Sequence, residues 1–215
     1  KGANIILHYN QSNDAAEDTK RQIDAMNVKC HLWQCDFSQS HHFEKALSDL
    51  TQQVGTIDCL INNASAFIQS QFDTLTINEF DRDFNIHLKN PLFLSQAFAK
   101  NCSNGQIVMM LDTRINTQKL DHFSYTLSKK SLADATKLLA NDCAPSIRVN
   151  GICPGPILPA PGQSIDVFNQ KCDLLPLQKP GCCAAIVHGI DYLISAEFVT
   201  GQLLFIDGGE HLGTS

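Results

Sequence analysis

Long apolar runs are missing from this sequence of 215 residues, and residues 107–111, one of the longest, fall far short of the roughly 20 that a transmembrane helix needs. Runs of Lys or Arg are missing too, since 22 acidic residues outnumber 16 basic ones and the formal net charge is −6. This charge argues against nucleic acid or an anionic membrane as the main partner. No signal peptide is visible. We therefore expect a soluble cytoplasmic protein that binds a small molecule.

A disulfide pattern is missing as well, although the chain has nine cysteines, an odd number. Several lie in apparent core segments, as reduced thiols of a cytosolic protein would: Cys59, Cys102 and Cys153. The adjacent pairs Cys182 with Cys183 and His41 with His42 do not have a recognisable zinc spacing. We predict no metal site.

Strand and helix patterns alternate along the chain. Strands are predicted at residues 4–10, 29–35, 57–62, 106–111, 147–153 and 203–206, and helices at residues 15–26, 42–54, 78–100, 124–143 and 181–195. Such alternation predicts right-handed βαβ crossovers and a parallel sheet covered by helices on both faces. With 43% hydrophobic residues the chain can bury one sizeable core, so residues 1–215 are expected to form a single domain.

Polar residues follow several of the predicted strands, at the edge where ligands of parallel α/β sheets bind. Asp36, Asn62 to Ser65, Asp112 and Pro154-Gly155 each come directly after a strand. Any one of them would be an ordinary turn or cap residue. Their shared placement predicts a binding site at this edge.

One spacing suits proton transfer. Asp112 precedes Tyr125 by 13 positions, and Lys129 follows Tyr125 by four on the same face of a predicted helix. A free tyrosine has a pKa of about 10 and transfers protons poorly near neutrality unless a cation stabilises its phenolate. Lys129 would lower that pKa, so Tyr125 is the predicted proton donor. On this spacing alone, an exposed helix start with an ordinary Tyr and Lys would be the preferred interpretation.

Together the motifs resemble those of the short-chain dehydrogenase/reductase family, and they cover essentially the whole chain. The resemblance is carried by Asn62-Asn63-Ala64-Ser65, Tyr125 with Lys129, Arg148-Val149-Asn150-Gly151-Ile152, Pro154-Gly155, Val199-Thr200-Gly201-Gln202 and Asp207-Gly208-Gly209. It implies a Rossmann-like doubly wound parallel sheet that binds a nicotinamide cofactor. It also implies a set of cofactor-binding residues: Asn63, Ala64, Pro154 and Gly155 along the cofactor, Asp36 at the adenine, and Tyr125 with Lys129 at the nicotinamide ribose.

Two departures from the general family resemble its pteridine reductase branch, and bacterial dihydromonapterin reductases in particular. Asp112 stands where most relatives carry serine, and His87 where most carry asparagine. By this resemblance Phe67 would stack on a pterin and Ser65 would help to hold substrate or cofactor. The alternatives are a strand-end turn residue for Asp112 and core packing for Phe67. His87 is either a proton relay between Lys129 and solvent or a buried histidine bonded to a backbone carbonyl.

The chemistry gives a separate reason for an acid at position 112. Ketone reduction develops negative charge on oxygen, where a serine hydroxyl can donate but a carboxylate would repel. Reduction of a dihydropterin C=N bond instead requires a proton on the ring nitrogen, which Asp112 can help to relay to Tyr125. We therefore expect an NADPH-dependent dihydropteridine reductase acting on dihydromonapterin, with dihydrofolate as a second substrate. A 3-oxoacyl thioester or other carbonyl reductase and a catalytically silent nucleotide-binding regulator are the alternatives.

The residues that follow the strand at residues 4–10 predict a preference for NADPH. An NAD enzyme usually has an acidic residue there, whereas Gln11 and Ser12 are neutral donors that accommodate a 2′-phosphate. The chain begins at Lys1 and contains no Gly-rich pyrophosphate loop, so we expect the complete protein to carry a preceding strand, loop and helix. The family resemblance implies a homodimer or homotetramer paired through the helices at residues 78–100 and 124–143. The segment at residues 157–177 is expected to be a loop that covers the substrate.

Overall fold

The computed structural model describes residues 2–118, 121–160 and 162–213. Its strands and helices alternate as predicted, and this confirms the α/β class. The strands are β1 Ile5–Tyr9, β2 Cys30–Gln34, β3 Cys59–Asn62, β4 Gly105–Met110, β5 Ile147–Pro154 and β6 Leu203–Ile206. The helices are α1 Asn13–Asp24, α2 Phe43–Val54, α3 Ile77–Phe84, α4 Asn90–Asn101, α5 Phe123–Asp142, α6 Ile165–Asp173 and α7 Cys183–Ser195. No helix in these ranges has the length and apolar character needed to span a bilayer.

All strand pairs are parallel, but they form two sheets. β1 pairs with β2, while β3, β4, β5 and β6 form a four-stranded sheet in that order. Among the described residues β1 and β3 do not pair with each other, so the single sheet that the sequence predicts is present in two parts. Met110 of β4 lies opposite Ile152 of β5, and Pro154 lies opposite Ile206 of β6. The carboxyl ends of these strands therefore share one edge.

The central strands are buried on both faces because helices cover the four-stranded sheet from both sides. Alternate β4 residues point in opposite directions. Ile107 and Met109 pack with Leu132 of α5, whereas Val108 packs with Leu193 of α7. This packing holds the strands in register and so fixes the carboxyl edge of the sheet, where the polar residues follow the strands.

The β1–β2 pair is joined to the rest of the molecule by a second apolar cluster. Phe37 and Phe43 pack there with Leu94 of α4 and with Leu60 of β3. Asn90, which is fully buried, adds hydrogen bonds from its Nδ2 to the carbonyl oxygens of the turn after β2. The two sheets therefore share a packed interface through α4.

Two predicted segments differ in the structure. The helix predicted at residues 78–100 begins with the expected capping box, formed by Thr76 and Glu79, but a π-helical segment, Asn85–Lys89, separates α3 from α4. The segment predicted as a loop at residues 157–177 contains α6, which Ser164 caps through the main-chain N–H of Val167. Prolines on both sides mask this short helix in the sequence. Pro161 of that segment and Lys1 lie outside the described residues.

Candidate active site

Tyr125 and Asp112 meet at the carboxyl edge of the four-stranded sheet. Asp112 follows β4, and Tyr125 lies in the first turn of α5, which begins after His122 in a left-handed conformation (φ 61°). The Tyr125 hydroxyl donates a hydrogen bond to Oδ2 of Asp112 at 2.6 Å. Two residues that are distant in sequence thus form one acid pair.

The second oxygen of Asp112 has a structural role. Its Oδ1 accepts a hydrogen bond at 2.8 Å from the main-chain N–H of Arg114, and this caps the 3-10 turn Thr113–Asn116. The turn interpretation of Asp112 and the functional one therefore describe the same side chain. One oxygen fixes the turn, and the other faces Tyr125.

Burial and the neighbouring Asp112 carboxylate raise the pKa of Tyr125 far above its usual value. A hydrogen bond from the Ser65 hydroxyl and the charge of Arg114 oppose this rise but do not cancel it. We expected Lys129 to lower the pKa of Tyr125. The structure corrects that expectation, because burial and the Asp112 carboxylate dominate the pKa of Tyr125. The Lys129 ammonium donates its hydrogen bond to a main-chain carbonyl instead. In this arrangement Tyr125 stays protonated.

Lys129 lies one helical turn after Tyr125 and is only 3% exposed. Its Nζ donates to the carbonyl oxygen of Met110 at 2.6 Å and lies 5.8 Å from the centroid of the Tyr125 ring. Burial lowers the pKa of Lys129 to about 8, against the opposing charge of Asp112. An ammonium has three donors, and this is its only hydrogen bond to a described residue. The remaining donors fit the hydroxyls of a ribose.

Phe67 lies beside this pair on the loop after β3. It is 46% exposed, so the core-packing alternative does not describe it. Its ring meets Tyr125 edge-on with centroids 4.8 Å apart, and it stacks on His122 at 3.8 Å. Arg114 lies with its Cζ 5.3 Å from the Phe67 centroid. Phe67 thus forms an aromatic wall next to Tyr125, although His122 covers part of it.

His87 lies behind this wall in the π-helical segment. Its Nε2 accepts a hydrogen bond from the main-chain N–H of Ala66 at 3.0 Å and lies 3.2 Å from the Ser65 hydroxyl. Burial and the charge of Lys129 lower the pKa of His87 to about 3. His87 is therefore a neutral buried histidine, as one of the two sequence hypotheses holds. The partner of Nε2 is a backbone N–H and not a carbonyl.

The residues predicted to bind the nucleotide lie at the same ends of the strands. Gln11 and Ser12 are exposed after β1, and Ser12 begins α1 without a side-chain capping bond. Asp36 follows β2, and its carboxylate accepts from Asn10 and from the main chain of Ser38, which lowers its pKa. In the described contacts these residues do not touch the Tyr125 group. They form a separate, outer part of the edge.

Asn63 and Ala64 follow β3, on one side of β4 in the four-stranded sheet, whereas Pro154 ends β5 and Gly155 follows it on the other side of β4. Asn63 is exposed and Ala64 is half-buried against the β1–β2 cluster. A Cβ on Gly155 would come within 2.6 Å of the Cα of Asp207, so this position accepts only glycine without a shift of the backbone. Beside Asn63, the buried Oδ1 of Asn62 has no hydrogen-bond partner in the described structure. An unpaired buried acceptor and unused Lys129 donors fit a polar cofactor along this edge.

Asp207, noted in the sequence only as part of a family motif, anchors the turn that Asp112 caps. Its carboxylate accepts from the Thr113 hydroxyl at 2.9 Å and from the main-chain N–H groups of Gly209 and His211. Since Thr113 adjoins Asp112, the C-terminal turn holds the end of β4 in place.

Sequence reasoning missed two contributors to the site, Arg114 and His122. Arg114 makes a bidentate ion pair with Asp121, at 3.0 and 3.1 Å, and both His122 and Arg114 contact Phe67. The position of both residues between Asp112 and Tyr125 was the signal in the sequence that could have indicated their place in the site. The spacing alone does not reveal that the connecting segment folds back over the loop after β3.

Comparisons with known proteins agree with this geometry. A family model described as Enoyl-(Acyl carrier protein) reductase matches residues 1–211. The chain is 29% identical to the Uncharacterized oxidoreductase YohF of Escherichia coli (strain K12), over 97% of this chain and 86% of that protein.

Two solved structures have the same fold. FolM Alternative dihydrofolate reductase 1 from Brucella canis, complexed with NADP, is 32% identical with a TM-score of 0.92, over 100% of this chain and 86% of that one. Acetoin dehydrogenase YohF from Salmonella typhimurium is 26% identical with a TM-score of 0.88, over 99% of this chain and 88% of that one. NADP in the first structure agrees with the cofactor predicted from the sequence.

Proposed function

The chain belongs to the short-chain dehydrogenase/reductase family, and we propose that it is an NADPH-dependent reductase of dihydropteridines. Dihydromonapterin is the proposed substrate, with dihydrofolate as a second one. Its cofactor is NADPH, as in the NADP complexes of the Brucella relatives. The two named alternative dihydrofolate reductases at 32% identity support a substrate with a pterin ring.

A single observation carries the proposal: the hydroxyl of Tyr125 donates to a carboxylate, that of Asp112, at 2.6 Å. Negative charge that develops on a ketone oxygen would be repelled by this carboxylate. A serine at position 112 would donate a hydrogen bond to that oxygen, and a carboxylate cannot. A ring nitrogen that gains a proton develops no such anion. The pair therefore suits reduction of a C=N bond.

The residues then have distinct roles. When bound, NADPH supplies the hydride. Tyr125 gives its proton to the ring nitrogen, and Asp112, which is partly exposed, takes a proton from water and returns it to the tyrosine oxygen. Lys129 holds the ribose hydroxyls, while Phe67 and Ser65 contact the flat ring of the substrate.

A carbonyl reductase is the second candidate, and one observation favours it. The chain is 26% identical to an acetoin dehydrogenase whose structure has a TM-score of 0.88. Acetoin is a hydroxyketone, so this likeness predicts reduction at a carbonyl carbon. Asp112 is the argument against it.

NADPH oxidation by the purified protein separates the two candidates. The assay compares dihydromonapterin, dihydrobiopterin, dihydrofolate, acetoin and an acetoacetyl thioester under identical conditions. The proposal predicts the highest kcat/KM with a dihydropterin. Faster turnover of acetoin or of the thioester would reject it in favour of the carbonyl reductase.

We also propose a single cytoplasmic domain that pairs through α4 and α5. Both helices carry exposed apolar side chains: Phe93 on α4, and Leu127 and Leu138 on α5. Apolar side chains exposed to solvent on a helix surface are a common feature of protein interfaces. A monomer in light scattering would contradict this part of the proposal.

A further inference from the structure

We propose that His87 is a positioning residue: its Nε2 fixes the segment Ser65 to Phe67 against Tyr125. The inference rests on the proposed function only for the choice of substrate in its kinetic test. It replaces the hypothesis of a proton relay through this ring.

The hydrogen bonds determine which ring nitrogen carries the proton. A main-chain N–H can only donate, so Nε2, which lies 3.0 Å from the nitrogen of Ala66, must be the unprotonated acceptor. The proton of the neutral ring therefore resides on Nδ1, which is buried and has no hydrogen-bond partner among the described residues. His87 is 1% exposed, lies in the π-helical segment and packs edge-on against the Tyr125 ring.

The Nε2 acceptor of His87 positions three consecutive residues of the loop after β3. Ala66 donates its N–H to it, and the Ser65 hydroxyl lies 3.2 Å from it. Ser65 is thereby held beside Tyr125, and its single hydroxyl proton can point either to Nε2 or to the Tyr125 oxygen. Phe67 follows directly and sets its ring edge-on to Tyr125, and the His87 ring packs edge-on to Tyr125 as well, with centroids 4.9 Å apart.

The charges around the ring oppose a role as proton carrier. Lys129 and Arg82 are the cations that act on His87, and together with burial they lower its pKa to about 3. The main-chain N–H of Ala66, which donates to Nε2, also disfavours a proton on that nitrogen. The ring is neutral near pH 7, so it serves as a fixed acceptor.

Nitrogen NMR of the histidine rings tests the assignment without any substrate. His87 should show an unprotonated Nε2 and a protonated Nδ1, unchanged from about pH 5 to about pH 8. The spectrum of His87→Gln identifies the signal by its loss. A His87 ring that gains a proton in this range, or that carries its proton on Nε2, would overturn the proposal.

Kinetics of three variants test the consequence. Glutamine can place its side-chain oxygen where Nε2 lies, whereas asparagine reaches only the position of Nδ1 and leucine offers no acceptor. We expect His87→Gln to keep KM and kcat within about threefold, and His87→Asn and His87→Leu to raise KM about tenfold by leaving the partly buried Ala66 N–H unpaired. His188→Gln, on the exposed side of α7, is the matched control and should change nothing.

The outcomes are separable. Equal kinetics for all three variants, or an active His87→Asn beside an inactive His87→Gln, would refute positioning through Nε2. If the wild-type protein reduces acetoin and no pterin, the proposed function fails, while the variants can still be compared with acetoin and the NMR result stands.

Discussion

Replacing Asp112 with serine should exchange one substrate class for the other. In the wild-type protein a carboxylate oxygen lies 2.6 Å from the Tyr125 hydroxyl. A carbonyl oxygen bound to that hydroxyl would develop its charge within roughly 4 to 5 Å of the carboxylate, where two full charges repel by about 4 kcal/mol at an effective dielectric of about 20. Partial charge and the exposed side of Asp112 reduce this to about 1 to 3 kcal/mol, and about 1.4 kcal/mol corresponds to a factor of ten.

Asp112→Ser is therefore expected to raise kcat/KM for acetoin or an acetoacetyl thioester about 10- to 100-fold. It should lower kcat/KM for dihydromonapterin by a similar factor, because the acid that returns the proton to Tyr125 is gone. The assay is initial-rate NADPH oxidation with both substrates, and thermal unfolding verifies that the variants fold.

Asp112→Asn is the matched control for the charge. Its side-chain oxygen can still accept from the main-chain N–H of Arg114, so the 3-10 turn keeps its cap. Pterin turnover should fall with this variant too, since an amide cannot deliver a proton. Undiminished dihydromonapterin reduction by both variants would refute the reasoning, as would a loss of carbonyl activity in Asp112→Ser.

Three further predictions follow from the packing around the site. Lys129 has a pKa of about 8 against 10.5 in water, so its charge destabilises the fold below pH 8 by about 3 kcal/mol, and this cost disappears as pH rises to about 10.5. Lys129→Met should therefore be inactive yet more stable near pH 7, and in urea unfolding the free energy of unfolding of the wild type should approach that of the variant between pH 8 and about 10.5. Gly155→Ala brings a Cβ to 2.6 Å from Asp207 and should lower the free energy of unfolding by about 1 to 3 kcal/mol, whereas Gly213→Ala, with only a 3.5 Å contact, should not. Leu138→Glu, at a side chain 73% exposed on α5, should leave the fold intact and shift light scattering towards monomer.

The sequence predicted the fold well because strand and helix periodicities were regular and the core needed only apolar residues in the right order. It also linked Asp112, which follows a strand, with Tyr125 at the start of the next long helix, through their spacing and the family resemblance. The direct hydrogen bond between them was within reach of that argument, since the resemblance already linked the two positions.

Other features depend on three-dimensional packing that no spacing reveals. The π-helical segment around His87 and the left-handed residue His122 are backbone details that arise from tertiary contacts. The direction of the pKa shift of Tyr125 was missed because it depends on how deeply the phenol is buried and on where the Lys129 ammonium points. Both quantities exist only in the folded chain.

The ratio of kcat/KM for dihydromonapterin to that for acetoin, measured on the wild-type protein with NADPH, shows whether the acid beside Tyr125 selects an imine over a ketone. We expect a ratio well above one, which Asp112→Ser lowers by several orders of magnitude. A wild-type ratio below one, or a ratio that the substitution leaves unchanged, would contradict it.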